Sequence, residues 1–254
     1  AVERSFTKYK KFEDNELSNF ETIAKSCKVK ENDLSSVQNM RSTPLTMNKR
    51  TWTFDATVAS RYQAEVNAHI PDYKRVIDLC VSCTKTNFDA NAKIIDVGSA
   101  NGSTVDRFLS EGYSNVYGVE SSEAMIANSL HKNRIIHSQT FQDIDSYFVM
   151  ANWTLHFINE RKQYIQDVYT SLSLNGTFIL TDKTPQSEAV KKLYYDFKRS
   201  NGVTDEYIYE KEEKLKGYMN LLPIDWYLDT MKEVGFKNIQ IINSKYGFVT
   251  FYGE

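Results

Sequence analysis

From residue 93 onward, short apolar runs alternate with amphipathic stretches, and this alternation is the clearest signal in the chain. It predicts strands at 93–97, 115–119, 134–137, 147–151 and 177–181, with helices starting near Ser103, Ser122 and Glu160 and a turn at Asn175-Gly176. Strands separated by helices imply a mostly parallel sheet covered on both faces. Upstream, FDATVASRYQAEVNAHIPDYKRVIDLC reads as two helices broken at Pro71, because proline cannot continue the first and forces the residue before it toward extended backbone. Over 186–220 the alternation stops, and SEAVKKLYYDFKRSN and DEYIYEKEEKLKGYMN predict a helical insert. PIDWYLDTMKEVGF then carries proline at a helix start and glycine at its end, and KNIQIINSKYGFVTFYGE closes as two strands around residues 243–245. Residues 1–48 are polar and charge-mixed, with Leu17, Phe20, Ala24 and Cys27 at helical spacing. They are expected to form a helical extension, leaving 49–254 as one α/β domain.

Composition narrows the classes of function. A net charge of -2 from 31 basic and 33 acidic residues gives no overall push toward nucleic acid or an anionic membrane. No apolar run approaches the roughly 20 residues that span a bilayer, and AVERSFTKYKKF lacks the apolar core of a secretory signal. The expectation is a cytoplasmic protein without membrane contact. Cys27, Cys80 and Cys83 cannot build a disulfide framework. Cys80 and Cys83 form a CxxC, but nothing supplies the other two ligands of a zinc site, and Val76, Cys80 and Cys83 fall on one helix face as core residues would. No metal is expected.

The candidate chemistry sits in IDVGSANGST. Gly98 and Gly102 bracket a turn between a strand and a helix, where backbone can approach a ligand and free helix N–H groups point at it. A dinucleotide would need glycine at positions held here by Ala100 and Val105, which disfavours a pyrophosphate. Glu120 ends the next strand, where a carboxylate can bind both hydroxyls of a ribose, and Asp96 just before the turn suits an ammonium group. Turn, Asp96 and Glu120 together describe S-adenosylmethionine.

WTFDATVASRYQAEVNAHIPDY, IDVGSANGST, ANWTLHFI and YYDFKRSNG resemble, in order and spacing, the carboxy-S-adenosylmethionine synthase family, a branch of the class I methyltransferases. The similarity covers about residues 50–252. It implies a Rossmann-like class I methyltransferase fold with a seven-stranded sheet and a helical lid, and a homodimer. It further implies cofactor contacts at Tyr73, Gly98, Ser99, Ala100, Glu120, Ser121 and Asn152. The family's adenine-contacting Asp-Ile falls by position on Gln139 and Thr140, with Asp143 as the alternative if the loop is reset. Members of that family use prephenate to carboxylate the methyl group, and the product serves wobble-uridine modification of tRNA.

One departure bears on the reaction. Glu212 occupies the position of the family's carboxylate-binding arginine, and two like charges near 4 Å repel by about 4 kcal/mol at an effective dielectric of 20. A carboxylated cofactor is therefore expected to bind poorly, unless Lys211 or Lys214 takes over the role without the planar fork of arginine. Methyl transfer to an unidentified small-molecule or nucleic-acid acceptor is the leading expectation. The carboxylating synthase, and a protein that binds the cofactor without transferring it, are the alternatives. Amino-methylation of DNA bases is disfavoured, because ANWTL does not match the NPPY type of motif. His156 is the candidate general base, Trp153 a candidate wall of the acceptor pocket, and Tyr194, Tyr195 and Arg199 candidates on the lid, Arg199 for an anionic group.

Overall fold

The computed structural model describes residues 53–141 and 145–254, which fall within one compact unit, Thr51–Glu254. The expected helix over Leu17 to Cys27, and Asp143, lie outside the described residues. Two helices, α1 (Ala56–His69) and α2 (Tyr73–Asn87), precede the sheet and part at Ile70 to Asp72 as Pro71 requires. Then come β1 (Ile94–Val97), α3 (Ser103–Ser110), β2 (Val116–Glu120), α4 (Glu123–Ala127), β3 (Ile135–His137), β4 (Ser146–Asn152), α5 (Arg161–Ser171) and β5 (Leu172–Lys183). The insert supplies α6 (Glu188–Ser200) and α7 (Asp205–Leu215), and the chain closes with α8 (Ile224–Val234), β6 (Gln240–Lys245) and β7 (Phe248–Gly253).

The seven strands run in the order β3-β2-β1-β4-β5-β7-β6, parallel through β5, with β7 antiparallel to both of its neighbours. The order reverses direction at β1, so the first glycine turn opens beside the crevice between β1 and β4, where open α/β sheets bind ligands. Period-two alternation divides the core. Ile95, Val97, Val149, Ala151, Phe178 and Leu180 meet Ile165, Val168, Tyr227 and Met231 of α5 and α8. Ile94, Val116, Phe148, Met150 and Ile179 meet Cys80, Val81 and Phe108 of α2 and α3. Val76 and Cys80 are buried and Cys83 half-buried on one face of α2, with both cysteines free, as expected of core residues.

Two local expectations need correction. Asn175-Gly176 does not end an element: β5 runs through it, and the pairing with β4 jumps from Ser146↔Leu172 to Phe148↔Thr177. Asn175 takes the left-handed conformation (φ 63°) that this irregularity demands. The last turn falls at Tyr246 and Gly247 (φ 50° and 80°), and residues 243–245 are inside β6. Paired positive φ values match the twist of the two strands, and Gly247 supplies the second of them without strain, where Asn243-Ser244 has no glycine.

Candidate functional site

The turn after β1 is built from three left-handed residues, Gly98, Ala100 and Gly102 (φ 69°, 49° and 77°). A Cβ on Gly98 would collide with Thr154 Oγ1, and one on Gly118 of β2 with Ser99 Oγ, so both glycines are required by close approach. Gly118 was not singled out by the sequence, since its need arises only from the loop packed across it. Ala100 tolerates a positive φ because its N–H donates to Glu120 Oε2 at 2.8 Å. A charge-assisted bond offsets the roughly 1–2 kcal/mol that the left-handed conformation costs. Ser122 N–H donates to the other oxygen, Oε1, at 2.8 Å, so Glu120 is fixed at the end of its strand with lone pairs to spare.

Asp96 ends within the same crevice. It is buried, its Oδ2 has no hydrogen-bond partner, and its pKa is pushed up to about 8, by burial first and then by the charge of Glu120. A buried carboxyl with an open oxygen fits a cation such as an amino acid's ammonium group. Tyr73, buried at the start of α2, shares a hydrogen bond with Ser103 Oγ (3.1 Å) at the start of α3 and stacks on Trp153 with ring centroids 4.7 Å apart. Trp153 itself is held left-handed (φ 58°), and its indole N–H is buried without a partner. Such strain marks a position fixed by its surroundings.

The remaining expected residues divide. Asn152 directs its amide inward, accepting from Thr181 Oγ1 (2.7 Å) and donating to Cys80 Sγ (3.6 Å). Ser121, Gln139 and Thr140 are exposed beside the ends of β2 and β3. Arg199 departs from expectation: it pairs with Asp196 and Asp205 and does not line the main cavity. Successive helical residues point about 100° apart, and the inward position belongs to its neighbour, Lys198.

That cavity, of about 530 Å³, lies between α1, the insert and the carboxyl rim of the sheet, and Trp153, Tyr62 and His156 line it. Its walls carry Arg61, Lys183, Lys191, Lys198, Lys211 and Lys216 against Glu65, Glu212 and Glu213. Lys183 and Lys198 sit over the ring of Tyr194, with Lys198 Nζ 4.2 Å from the ring centroid. Burial drives their pKa values down to about 8 and about 7; the charge of Lys191 on the first, and of Lys183 on the second, adds to this. No sequence motif flagged this pair, because only the packing of the insert brings 183 and 198 together. Glu212 pairs with Lys191 (2.6 Å) and accepts from Tyr195 Oη. Lys211 pairs with Glu65, which also accepts from Tyr207 Oη (2.6 Å), clamping α7 to α1; Lys214 pairs with Glu210 outside the cavity.

His156 is buried in the 3-10 turn after β4, and its Nδ1 lies 2.9 Å from Oδ1 of the fully buried Asp182. Tyr227 Oη donates to Asp182 Oδ2 (2.9 Å), and Arg161 Nη1 donates to Tyr227 Oη (2.6 Å). Asp182, Tyr227 and Arg161 are separated widely in sequence, and nothing in their spacing announced them.

Residues 95–180 match the family model described as a methyltransferase domain. Curated relatives include the carboxy-S-adenosyl-L-methionine synthases of Nautilia profundicola (28% identical, covering 78% of this chain and 92% of that one) and Staphylococcus epidermidis (27%, covering 74% and 90%). Among solved structures, the chain is similar to the magnesium protoporphyrin IX methyltransferase of Synechocystis, solved with bound SAH (TM-score 0.55, 13% identity, 79% and 95% covered). A methyltransferase-like protein of Methanococcus maripaludis matches equally well (TM-score 0.55, 14% identity, 79% and 93% covered). The fold is that of the class I methyltransferases.

Proposed function

We propose that this S-adenosylmethionine-dependent transferase acts on a small anionic molecule held in the lysine-lined cavity beside the glycine turn. The bound cofactor supplies an electrophilic methyl group on a sulfonium whose departure leaves a neutral thioether. Asp96 would take its ammonium group, the turn 98–102 its amino-acid backbone, Glu120 its ribose, and Ser121, Gln139 and Thr140 the adenine side. Tyr73 and Trp153 would wall the sulfonium, and Asn152 would serve the rim through its backbone.

The observation that carries the acceptor class is the pair formed by half-buried Lys183 and buried Lys198. An arriving anion would favour the charged form of both amines, which burial opposes, and would draw both pKa values back toward the ordinary lysine range. A cavity of about 530 Å³ encloses a metabolite and not a folded polynucleotide. The lid helices α6 and α7, clamped to α1 through Glu65, would exclude water and place the acceptor near the reacting carbon.

The carboxylating alternative also gains support. The repulsion expected from Glu212 is largely answered by Lys191 and Tyr195, and Lys183 and Lys198 offer a carboxylate two cations in the same cavity. Mass spectrometry of the small molecule released on denaturing freshly purified protein separates the two. The expected release is S-adenosylmethionine or its demethylated product. A species heavier by one carbon dioxide would replace methyl transfer by the synthase reading. A homodimer, suggested by the resemblance, is tested by light scattering on the purified chain, and a cytoplasmic location by fractionation of cells.

A further inference from the structure

We propose that Asp182 holds His156 with its ring proton on Nδ1, so that Nε2 offers a lone pair to the cavity and receives the proton of an acceptor N–H or O–H. His156 lines the cavity, its Nδ1 faces Asp182, and among the described residues no group hydrogen-bonds its Nε2. The tautomer is contested within the structure. The backbone N–H of Lys183 lies 3.3 Å from the same Nδ1, and that bond would require the proton to sit on Nε2. It would also leave a carboxylate oxygen 2.9 Å from a ring lone pair, fully buried and with no other hydrogen-bond donor. A short contact to a buried charge outweighs a long contact between neutral groups, so the proton belongs between Nδ1 and Oδ1.

The support behind Asp182 is built for orientation. Its second oxygen accepts from Tyr227 Oη, which accepts from Arg161. The same guanidinium donates from Nε to the carbonyl of Leu155 (2.7 Å) and from Nη2 to that of Asn220 (2.6 Å). Asn220 N–H in turn donates to the carbonyl of His156 (2.8 Å). One buried arginine thus fixes both the backbone that carries the imidazole and the carboxylate that orients it. As the acceptor's lone pair bonds to the transferred carbon, and sulfur keeps the pair of the bond it loses, the acceptor's proton passes to Nε2. The resulting imidazolium is stabilised at Nδ1 by Asp182. Asp182 is a positioning residue, and its role in the reaction rests on the transferase reading above.

The test is long-range proton–nitrogen NMR of the full-length, nitrogen-15-labelled chain at neutral pH, with His156→Gln assigning the signal among the four histidines. The expected result is a protonated Nδ1 and an unprotonated Nε2 at His156. A protonated Nε2 in the wild-type chain overturns the proposal, whatever any variant does. In Asp182→Asn, whose amide can donate to Nδ1, the proton is expected to move to Nε2; retention on Nδ1 would remove Asp182 from the argument. If that variant does not fold, Tyr227→Phe, which leaves the Asp182–His156 contact in place, is expected to keep the wild-type pattern, and its loss would count against the proposal. Calorimetric titration with S-adenosylmethionine keeps the two readings apart. Binding within about threefold of wild type is expected for His156→Gln, a change under 1 kcal/mol. No binding by the wild-type chain would sink the transferase reading while leaving the tautomer measured.

Discussion

At Asp96 the site's electrostatics turn on one buried oxygen. Its pKa of about 8 lies above the ordinary value, so the folded chain holds a proton that the unfolded chain has lost between about pH 4 and 8. Stability contributed by the protonated carboxyl is therefore present at low pH and is lost as pH rises through about 8. A bound ammonium group reverses the balance by favouring the carboxylate. Cofactor binding at pH 7 is expected to release close to one proton, read by calorimetry in buffers of different ionisation enthalpy. Asp96→Asn should abolish that release and weaken the cofactor by about tenfold or more, the worth of one charged hydrogen bond. An unchanged proton count would show that Asp96 does not meet the ammonium group.

The turn joining β1 to α3 makes a sharper demand than its motif suggests. Gly98 combines a left-handed backbone with contact against Thr154, which itself donates from Oγ1 to the carbonyl of Val97 (3.1 Å). Gly112, at the end of α3, has φ 91° and open space around it. Alanine at 112 should cost only the backbone strain of about 1–2 kcal/mol. At 98 it should cost more and also abolish cofactor binding, because Thr154 and the carboxyl end of β4 must give way. Urea unfolding paired with cofactor titration of the two variants distinguishes them; equal behaviour would mean that the turn adapts.

Across the whole molecule, Arg161 connects α5, the turn after β4, the segment before α8, and β5 through Tyr227 and Asp182. It is 2% exposed, and Arg161→Met would orphan the carbonyls of Leu155 and Asn220 and leave the Tyr227 hydroxyl that holds Asp182 without its donor. A loss of about 3 kcal/mol or more is expected in urea unfolding, as for other broken buried charge networks. A loss under 1 kcal/mol would mean that water or local movement replaces the guanidinium. Such a network is invisible in the chain's pattern. Hydrophobic periodicity and the glycine turn were enough to give the parallel sheet, the helices on its faces, the turn with Asp96 and Glu120 beside it, and the two inserted helices, because each depends on residues close in sequence. Tertiary structure alone decided that Lys198, and not Arg199, faces the cavity beside Lys183. It also decided that Glu212 is answered by Lys191 and that Asp182 stands behind His156. These pairings join residues from elements folded separately, so their distances arise from packing and not from spacing along the chain.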